Sequence, residues 1–195
     1  MGVDFQIEQL INGPAGSSPV WDAVMGGVAT LSEPAAIAVI VLWFLIGWFR
    51  NRRLDRLGSL GALAAAIAAL VANVVISHIW FRPRPFVEHP GAVHVLVAHT
   101  RDASFPSDHT AAAFAIAIVL LAFHRRLGVL AVLAAALVGY ARVYVGDHYP
   151  GDVVGGALVG VVAALVVTLL LRGLIGWVDG AIWRAGGVLH IRPGA

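Results

Sequence analysis

The chain has 195 residues, of which 59% are hydrophobic and only 12% are charged, and its mean hydropathy is +0.86. Soluble domains are about half apolar and about one quarter charged, so this balance excludes an ordinary soluble protein and predicts a membrane protein. The formal net charge is +2, all thirteen basic residues are arginine, and cysteine is absent, which excludes disulfides, iron–sulfur sites and thiol nucleophiles.

Five apolar runs are long enough, with their flanking turns, to cross a bilayer core, which takes about 20 residues. They occupy residues 34–49, 57–80, 110–123, 127–141 and 153–171. The sequence therefore predicts an all-α fold: a polytopic membrane helical bundle with about five transmembrane helices, forming a single domain over residues 1–195. Small residues such as Gly156 and Gly160 favour close helix packing within this bundle.

The segment before the first run, residues 1–32, predicts an N-terminal interfacial helix, because Trp21, Val24, Met25, Val28 and Leu31 repeat at helical spacing. Ser32 is expected to cap the first spanning helix, since Glu33 and Pro34 follow it. The transmembrane bundle is then expected over residues 33–172.

The arginines predict the orientation of the bundle. Four arginines lie within residues 50–56, and Arg125 and Arg126 separate the third and fourth runs. Loops rich in arginine stay in the cytoplasm, so the loops 77–109 and 141–152 are expected on the outer side. Residues 173–195 are expected to form a cytoplasmic interfacial tail, anchored by Trp177 and Trp183, in which His190 is solvated.

Three polar clusters fall on the predicted outer side, and the first is SHIWFRPRPF at residues 77–86. Arg82 is interpreted as an arginine at the membrane edge that extends towards lipid phosphates. The neighbouring prolines fix the backbone around Arg84. This restriction suits Arg84 to the clamping of a phosphate group.

The second cluster is SFPSDH at residues 104–109, where Ser107, Asp108 and His109 precede an apolar run. A plain helix cap is one interpretation of these residues. The functional alternative is an anion site, because free backbone N–H groups at a helix start attract a negatively charged oxygen. Ser107 would then add a donor and His109 a proton.

The third cluster is ARVYVGDHYPGD at residues 141–152. Asp152 follows His148 by four residues and is expected to bond one imidazole nitrogen, which leaves the other as a nucleophile or base. An ordinary pair at a helix start is the alternative, and Asp147 is interpreted as a loop residue. Because all three clusters lie on one predicted face, we expect them to form one anion site with two histidines.

These residues resemble a known family. Arg84-Pro85, the PSDH of residues 106–109, and Arg142 with His148 and Asp152 resemble the three-part signature of the type 2 phosphatidate phosphatase superfamily, which vanadium haloperoxidases share. Within it, the stretches WFRPRPF, SFPSDHT, IEQLING and VWDAVM resemble bacterial undecaprenyl-diphosphate phosphatases of the bacitracin-resistance type.

Three positions depart from the superfamily pattern. Ser77 stands where the pattern has a lysine, Asp108 replaces the usual glycine, and Ala141 replaces a serine. The PSDH form is typical of the undecaprenyl-diphosphate branch. Arg82 is the nearby residue able to supply charge in place of the lysine.

The resemblance implies a mechanism without a metal or cofactor. His148 is the expected nucleophile, Asp152 orients it, and His109 protonates the leaving oxygen and then activates water. The residues expected to bind phosphate are Arg84, Ser107, Asp108, Arg142 and Ser77.

The implied activity is hydrolysis of undecaprenyl diphosphate to undecaprenyl phosphate, on the outer side of the bacterial plasma membrane. The expected partners are this polyprenyl lipid and the bilayer, with no nucleic acid, and formation of homo-oligomers stays open.

Other lipid phosphates, namely phosphatidate, phosphatidylglycerol phosphate or another polyprenyl phosphate, are alternative substrates. A non-catalytic lipid-phosphate binding or transport protein is the alternative from another class. Haloperoxidase activity is disfavoured, because nothing suggests a soluble scaffold for vanadate.

Overall fold

The structure, a computed structural model, describes residues 2–98, 100–170 and 172–188. Within these ranges the secondary structure is helical, without strands. The helices are α1 (Val3–Asn12), α2 (Pro19–Phe49), α3 (Arg53–Ile79), α4 (Pro85–Glu88), α5 (Asp108–Phe123), α6 (Arg125–Tyr144), α7 (Pro150–Leu170) and α8 (Arg172–Val188). The predicted all-α fold is confirmed.

Five of these helices correspond to the five predicted crossings. By length and composition α2, α3, α6 and α7 are able to span a membrane. The apolar helix α5 is shorter, with 16 residues, or about 24 Å at 1.5 Å per residue. It packs at the centre of the bundle against α3, α6 and α7. The chain is a multi-pass membrane protein.

The crossing of α5 and α7 is close because both helices present small residues to each other. A Cβ atom built on Gly156 would lie 2.5 Å from the Ser107 carbonyl oxygen, and one on Gly160 would lie 2.3 Å from that of Ala111. The predicted packing through small residues is therefore confirmed. This crossing also brings the start of α7 beside the start of α5, where the Ser107 N–H donates to the Asp152 carbonyl oxygen over 3.1 Å.

The first spanning helix starts earlier than predicted. Helix α2 begins at Pro19, where the Ser18 hydroxyl accepts a hydrogen bond from the Trp21 N–H, and it contains Pro34 in its interior. The prediction that Ser32 caps a helix is wrong, since the Ser32 hydroxyl donates to the Ala29 carbonyl oxygen within α2. Ser18 and Pro19 already supply the cap and the first-turn proline, and membrane helices tolerate an internal proline.

Helix α8 lies at the end of the bundle opposite to the starts of α5 and α7, and it contains most of the predicted tail. Arg56 at the start of α3 forms a buried ion pair with Asp179, at 2.6 Å, and its guanidinium lies 4.3 Å from the centre of the Trp183 ring. Trp177 is 66% exposed, as an interfacial anchor requires. The prediction about His190 lies outside the described residues.

Candidate active site

The three predicted clusters meet at one end of the bundle. There the loop after α3, the loop before α5, and the turn between α6 and α7 come together. Seven polar side chains at this point are each at most 4% exposed. We refer to them as the arginine–histidine cluster: Arg84, Ser104, Ser107, Arg142, Asp147, His148 and Asp152.

The hydrogen bonds of His148 fix its tautomer. Its Nδ1 lies 2.8 Å from the Ser104 carbonyl oxygen, and a carbonyl only accepts hydrogen bonds, so Nδ1 carries the proton. Its Nε2 lies 3.3 Å from Arg84 Nη1, a guanidinium nitrogen that only donates. The Nε2 lone pair is therefore the nucleophilic position, and it points towards positive charge.

Asp152 lies near His148, but the hydrogen bond that Nδ1–H donates goes to the Ser104 carbonyl oxygen and not to the Asp152 carboxylate. Its Oδ2 is 3.7 Å from His148 Nδ1, a greater distance than that to the Ser104 carbonyl. The same carboxylate accepts hydrogen bonds from the Ser104 hydroxyl at 2.5 Å and from the Tyr149 N–H at 2.9 Å. At 3.7 Å the Asp152 carboxylate is too far from Nδ1 for the expected direct hydrogen bond, and it lies beside the imidazole as a carboxylate held by Ser104 and Tyr149.

Arg84 and Arg142 approach the same point from different elements. Arg84 is the N-terminal cap residue of α4, and Pro85 follows it as the first helical residue. Arg142 lies in the last turn of α6. Its Nη1 donates to the Ala29 carbonyl oxygen over 3.3 Å, whereas its buried Nε has no hydrogen-bond partner among the described residues. A phosphate oxygen is a suitable acceptor for that Nε–H.

Asp147 lies in the turn between α6 and α7, as the sequence predicts, but it also joins the two arginines. Its Oδ1 lies 2.6 Å from Arg84 Nη1, and its Oδ2 accepts a hydrogen bond from Arg142. Its Oδ2 is also 3.6 Å from His148 Nε2. Burial of two arginines needs a partner anion, and Asp147 supplies that charge.

Ser107 lies in the arginine–histidine cluster as the N-terminal cap residue of α5, and its hydroxyl does not cap the backbone N–H groups of that helix. Thr110 Oγ1 lies 3.1 Å from Ser107 Oγ. With Thr110 as the donor, the Ser107 hydroxyl proton remains for an anion. The predicted donor is thus placed beside the N–H groups that begin α5.

Asp108 and His109 face another side of α5. The Asp108 carboxylate accepts a hydrogen bond from Asn73 of α3 over 2.7 Å. Both residues line a mainly apolar cavity of about 380 Å³ between α2, α3 and α5, which Glu33 also lines. The structure therefore places Asp108 against α3, and it places His109 where the cavity wall meets the helix start.

Ser77, the remaining predicted phosphate ligand, lies in α3. Its hydroxyl donates to the Val74 carbonyl oxygen over 2.9 Å, which is a local bond within the helix. No contact of the described residues brings it into the arginine–histidine cluster. The described residues also include no group of three His, Asp or Glu side chains suited to a metal ion.

Arg82 does not extend towards lipid, so that interpretation is wrong. It pairs with Asp152 and with Asp4 of α1, each at 2.7 Å, and its guanidinium lies 3.8 Å from the centre of the Tyr149 ring. Burial opposes its charge, but Asp152 and Asp4 outweigh burial and raise the pKa of Arg82. Arg82 therefore supplies a cation to the site from the position two residues before Arg84.

Helix α1 covers the back of the turn that carries His148. Asp4 accepts a hydrogen bond from the Gly151 N–H at 2.8 Å, and Asn12 donates to the Tyr144 carbonyl oxygen at 2.8 Å. Glu8 lies one helical turn from Asp4 and one from Asn12. It is fully buried, and its carboxylate has no hydrogen-bond partner among the described residues. Burial raises its pKa to about 7. The N-terminal helix thus belongs to the site end of the bundle.

Sequence reasoning missed the contributions of Ser104, Asp147 and Asp4. Ser104 and Asp147 lie inside two of the three polar clusters found in the sequence. Each is a polar residue in a mainly apolar chain, and this is the sequence feature that could have marked both as site residues. Asp4 is separated from Gly151 by 147 positions, and nothing in the local sequence connects them.

The PAP2 superfamily matches residues 58–175 of this chain, a range that contains the whole arginine–histidine cluster. The chain belongs to the PAP2 superfamily. Among PAP2 relatives, "Undecaprenyl-diphosphatase BcrC" of Bacillus subtilis (strain 168) is 38% identical over 82% of this chain and 80% of its own length. "Putative undecaprenyl-diphosphatase YbjG" of Escherichia coli (strain K12) is 29% identical over 88% of this chain and 84% of its own length.

A solved structure agrees with this PAP2 fold. The crystal structure of Aquifex aeolicus LpxE is 27% identical in sequence, with a TM-score of 0.72. The match covers 86% of this chain and 96% of that one. The resemblance inferred from the motifs is confirmed.

Proposed function

We propose that this PAP2 chain is a membrane lipid phosphatase that hydrolyses undecaprenyl diphosphate to undecaprenyl phosphate and inorganic phosphate. The observation that carries the proposal is the position of His148 Nε2, which is unprotonated, buried and 3.3 Å from a guanidinium nitrogen. A nucleophile beside fixed cations suits attack on a phosphorus atom that bears negative oxygens. The names of the relatives support the choice of lipid.

In the first step, the His148 Nε2 lone pair attacks the terminal phosphorus and forms a P–N bond. The bond between that phosphorus and the bridging oxygen breaks, and undecaprenyl phosphate leaves with a proton from His109. Arg84, Arg142 and the Ser107 hydroxyl neutralise the oxygens of the transferred group. The Ser104 carbonyl holds the Nδ1 proton, while Asp152 stabilises the positive charge that develops on the imidazole.

In the second step, water attacks the phosphohistidine. His109, now neutral, takes a proton from this water, the P–N bond breaks, and inorganic phosphate is released. The electron pair of the broken bond returns to His148 Nε2. The two buried arginines carry the charge neutralisation in both steps, so the proposed reaction uses no metal ion.

The apolar surroundings of His109 support a lipid as the leaving group. The cavity that His109 lines runs beside α2 and α3, and a second apolar cavity of about 670 Å³ lies along α2, α5 and α6. An isoprenoid chain is compatible with such walls, because its removal from water is favourable. The polar head would then lie at the start of α5 and the tail among the helices.

We place the site on the outer side of the bacterial plasma membrane, because arginines cluster at the opposite end of the bundle, within residues 50–56 and at Arg125 and Arg126, where α6 begins. An outer site suits the diphosphate that remains after the carrier has delivered its sugar. The enzyme would recycle the lipid carrier of cell-wall synthesis, and overexpression should raise bacitracin tolerance. Unchanged bacitracin sensitivity on overexpression would contradict that role.

The experiment is phosphate release from undecaprenyl diphosphate by purified protein in detergent with a chelator. Wild type, His148→Ala and a control, His78→Ala, are compared. His78 lies near the end of α3 and its ring bonds the Val74 carbonyl oxygen, so its loss leaves the arginine–histidine cluster intact. We expect turnover in wild type and the control, and a loss of at least about a thousandfold in His148→Ala, as for other catalytic nucleophiles.

Other outcomes separate the alternatives. Faster turnover of phosphatidate or phosphatidylglycerol phosphate would replace the proposed substrate and retain the chemistry. Absence of turnover with every lipid phosphate, combined with tolerance to bacitracin that survives His148→Ala, would favour the binding or transport protein. Trapping of phosphate on His148 after rapid quenching would test the covalent intermediate directly.

A further inference from the structure

The Asp147 carboxylate occupies a position that fits a phosphoryl group. Its two oxygens contact Arg84 and Arg142, and one of them lies 3.6 Å from His148 Nε2. A group about to react with a nucleophile lies about 3–3.5 Å from it. The carboxylate therefore lies between the two arginines, where the terminal phosphate would bind. Its distance from Nε2 is also close to the distance that attack on that phosphate requires.

A phosphate and this carboxylate cannot hold the same donors together. Arg84 Nη1 and Arg142 are both buried and both contact Asp147, and a second anion beside Asp147 would be repelled at close range. Charge-assisted bonds from arginine suit phosphate as well as carboxylate. The Arg142 Nε–H, which has no partner among the described residues, is open to a phosphate, but a phosphate gains Arg84 Nη1 and Arg142 Nη2 only when Asp147 leaves them.

Asp147 lies in the turn between α6 and α7, after Gly146, which has a positive φ of +83°. Rotation of its side chain breaks no helical hydrogen bond, because residue 147 lies outside both helices. Its movement from the arginines is thus compatible with the helices that position His148 and Arg142.

We propose that Asp147 is an intramolecular competitor of phosphate at the two arginines, and that it sets the affinity of the site for substrate and product. This inference rests on the proposed phosphatase function. The apparent dissociation constant for a phosphate is then the intrinsic constant divided by the fraction of molecules in which the carboxylate has left the arginines. After hydrolysis, return of Asp147 to the arginines favours release of inorganic phosphate.

The test measures binding of inorganic phosphate and of vanadate to wild type, Asp147→Asn and Asp147→Ser by calorimetry, together with the inhibition of turnover by phosphate. If Asp147 holds the arginines in nine molecules of ten, its removal tightens the apparent dissociation constant about tenfold. Asp147→Asn should also lower KM and become more sensitive to product inhibition. Asp147→Glu keeps the anion and should retain affinity close to that of wild type.

The matched control is Asp102→Asn. Asp102 pairs with Arg84 Nε over 2.8 Å, and its side chain is 59% exposed, so this change removes a carboxylate from the same arginine at its exposed edge. We expect a much smaller effect on phosphate affinity than for Asp147→Asn. An equal effect would show that net charge alone matters and would overturn the proposal.

Unchanged or weaker phosphate binding by both Asp147→Asn and Asp147→Ser, in protein that keeps the wild-type unfolding temperature, would also overturn it. That result would give Asp147 a permanent positioning role. Direct binding separates this inference from the proposed function. Tighter phosphate binding by the Asp147 variants, without lipid turnover by any form of the protein, would contradict only the proposed phosphatase function. Normal lipid turnover by wild type, without tighter phosphate binding by the variants, would contradict only the proposal that Asp147 competes with phosphate.

Discussion

Ser104 contacts His148 with its backbone and supports the neighbouring carboxylate with its side chain. The Ser104 carbonyl oxygen accepts a hydrogen bond from His148 Nδ1–H over 2.8 Å. The Ser104 hydroxyl donates a hydrogen bond to Asp152 Oδ2 over 2.5 Å. One residue thus fixes the tautomer of the nucleophile and the position of the carboxylate beside it. The two roles are separable, because substitution changes only the side chain.

The change Ser104→Ala should therefore lower kcat by about ten- to a hundredfold with little change in KM. It keeps the carbonyl bond to His148 but removes a hydrogen bond to a charged group, and bonds of this kind contribute about 1.5–3 kcal/mol. Initial rates over a range of lipid concentrations measure both constants. The control is Ser59→Ala, since the buried Ser59 hydroxyl bonds the Arg56 carbonyl at the other end of the bundle. A wild-type kcat for Ser104→Ala would contradict the role of this hydroxyl.

The change Arg82→Ala should lower kcat by more than tenfold, because it removes the cation that pairs with Asp152 and with Asp4. Loss of one partner from a buried ion pair leaves an uncompensated charge and costs about 3–5 kcal/mol in fully buried cases; Arg82 is partly exposed, so the cost should be smaller. Arg82→Lys keeps the charge and should recover part of the activity. Arg101→Ala, which removes an exposed arginine before Ser104, is the control. If Arg82→Ala kept full activity, its pairing with Asp152 would have no part in the reaction.

Glu8 should make the stability of the protein depend on pH. Burial raises its pKa from 4.5 to about 7 in the folded protein, so between these values the folded state holds a proton that the unfolded state has lost. Stability contributed by this group is present below about pH 4.5 and falls as the pH rises to about 7. The change Glu8→Gln should remove that loss and raise the unfolding temperature at pH 8 relative to wild type.

Thermal unfolding in detergent at pH 5 and pH 8 measures this effect. The control Glu33→Gln removes an exposed carboxylate of α2 and should follow the wild-type curve. Parallel pH dependence in wild type and Glu8→Gln would contradict a buried carboxyl that titrates near neutral pH.

The crossing of α5 and α7 should be sensitive to a single methyl group. In Gly160→Ala the new Cβ would lie 2.3 Å from the backbone oxygen of Ala111, so the helices must separate, and overpacking of this kind costs about 1–3 kcal/mol. We expect a lower unfolding temperature and reduced activity, because the crossing positions Asp152 against Ser107. Gly173→Ala is the control, as its Cβ would meet nothing within 4 Å. Equal unfolding temperatures for the two variants would contradict a tight crossing.

Much of the site was predictable from the sequence because its chemistry is local. Arg84, His148 and Asp152 lie in short motifs, and the structure brings them together as expected. Ser77 and Asp108 show the limit of this reasoning, since a motif position does not fix the direction of a side chain. The Ser77 hydroxyl bonds its own helix and the Asp108 carboxylate bonds Asn73, and these contacts depend on helix rotation and packing.

The sequence by itself determined the membrane bundle, its five apolar helices and the residue types of the site, because run length, hydropathy and motif spacing are properties of neighbouring residues. The tertiary structure alone decided which charges meet. Arg82 reaches Asp152 across 70 positions of the chain, Asp4 reaches Gly151 across 147, and Asp147 turns inward to lie between two arginines. The close approach of the small-residue faces of α5 and α7 fixes where the starts of these two helices meet, and the packing of α1 against α6 and α7 brings Asp4 to the same end.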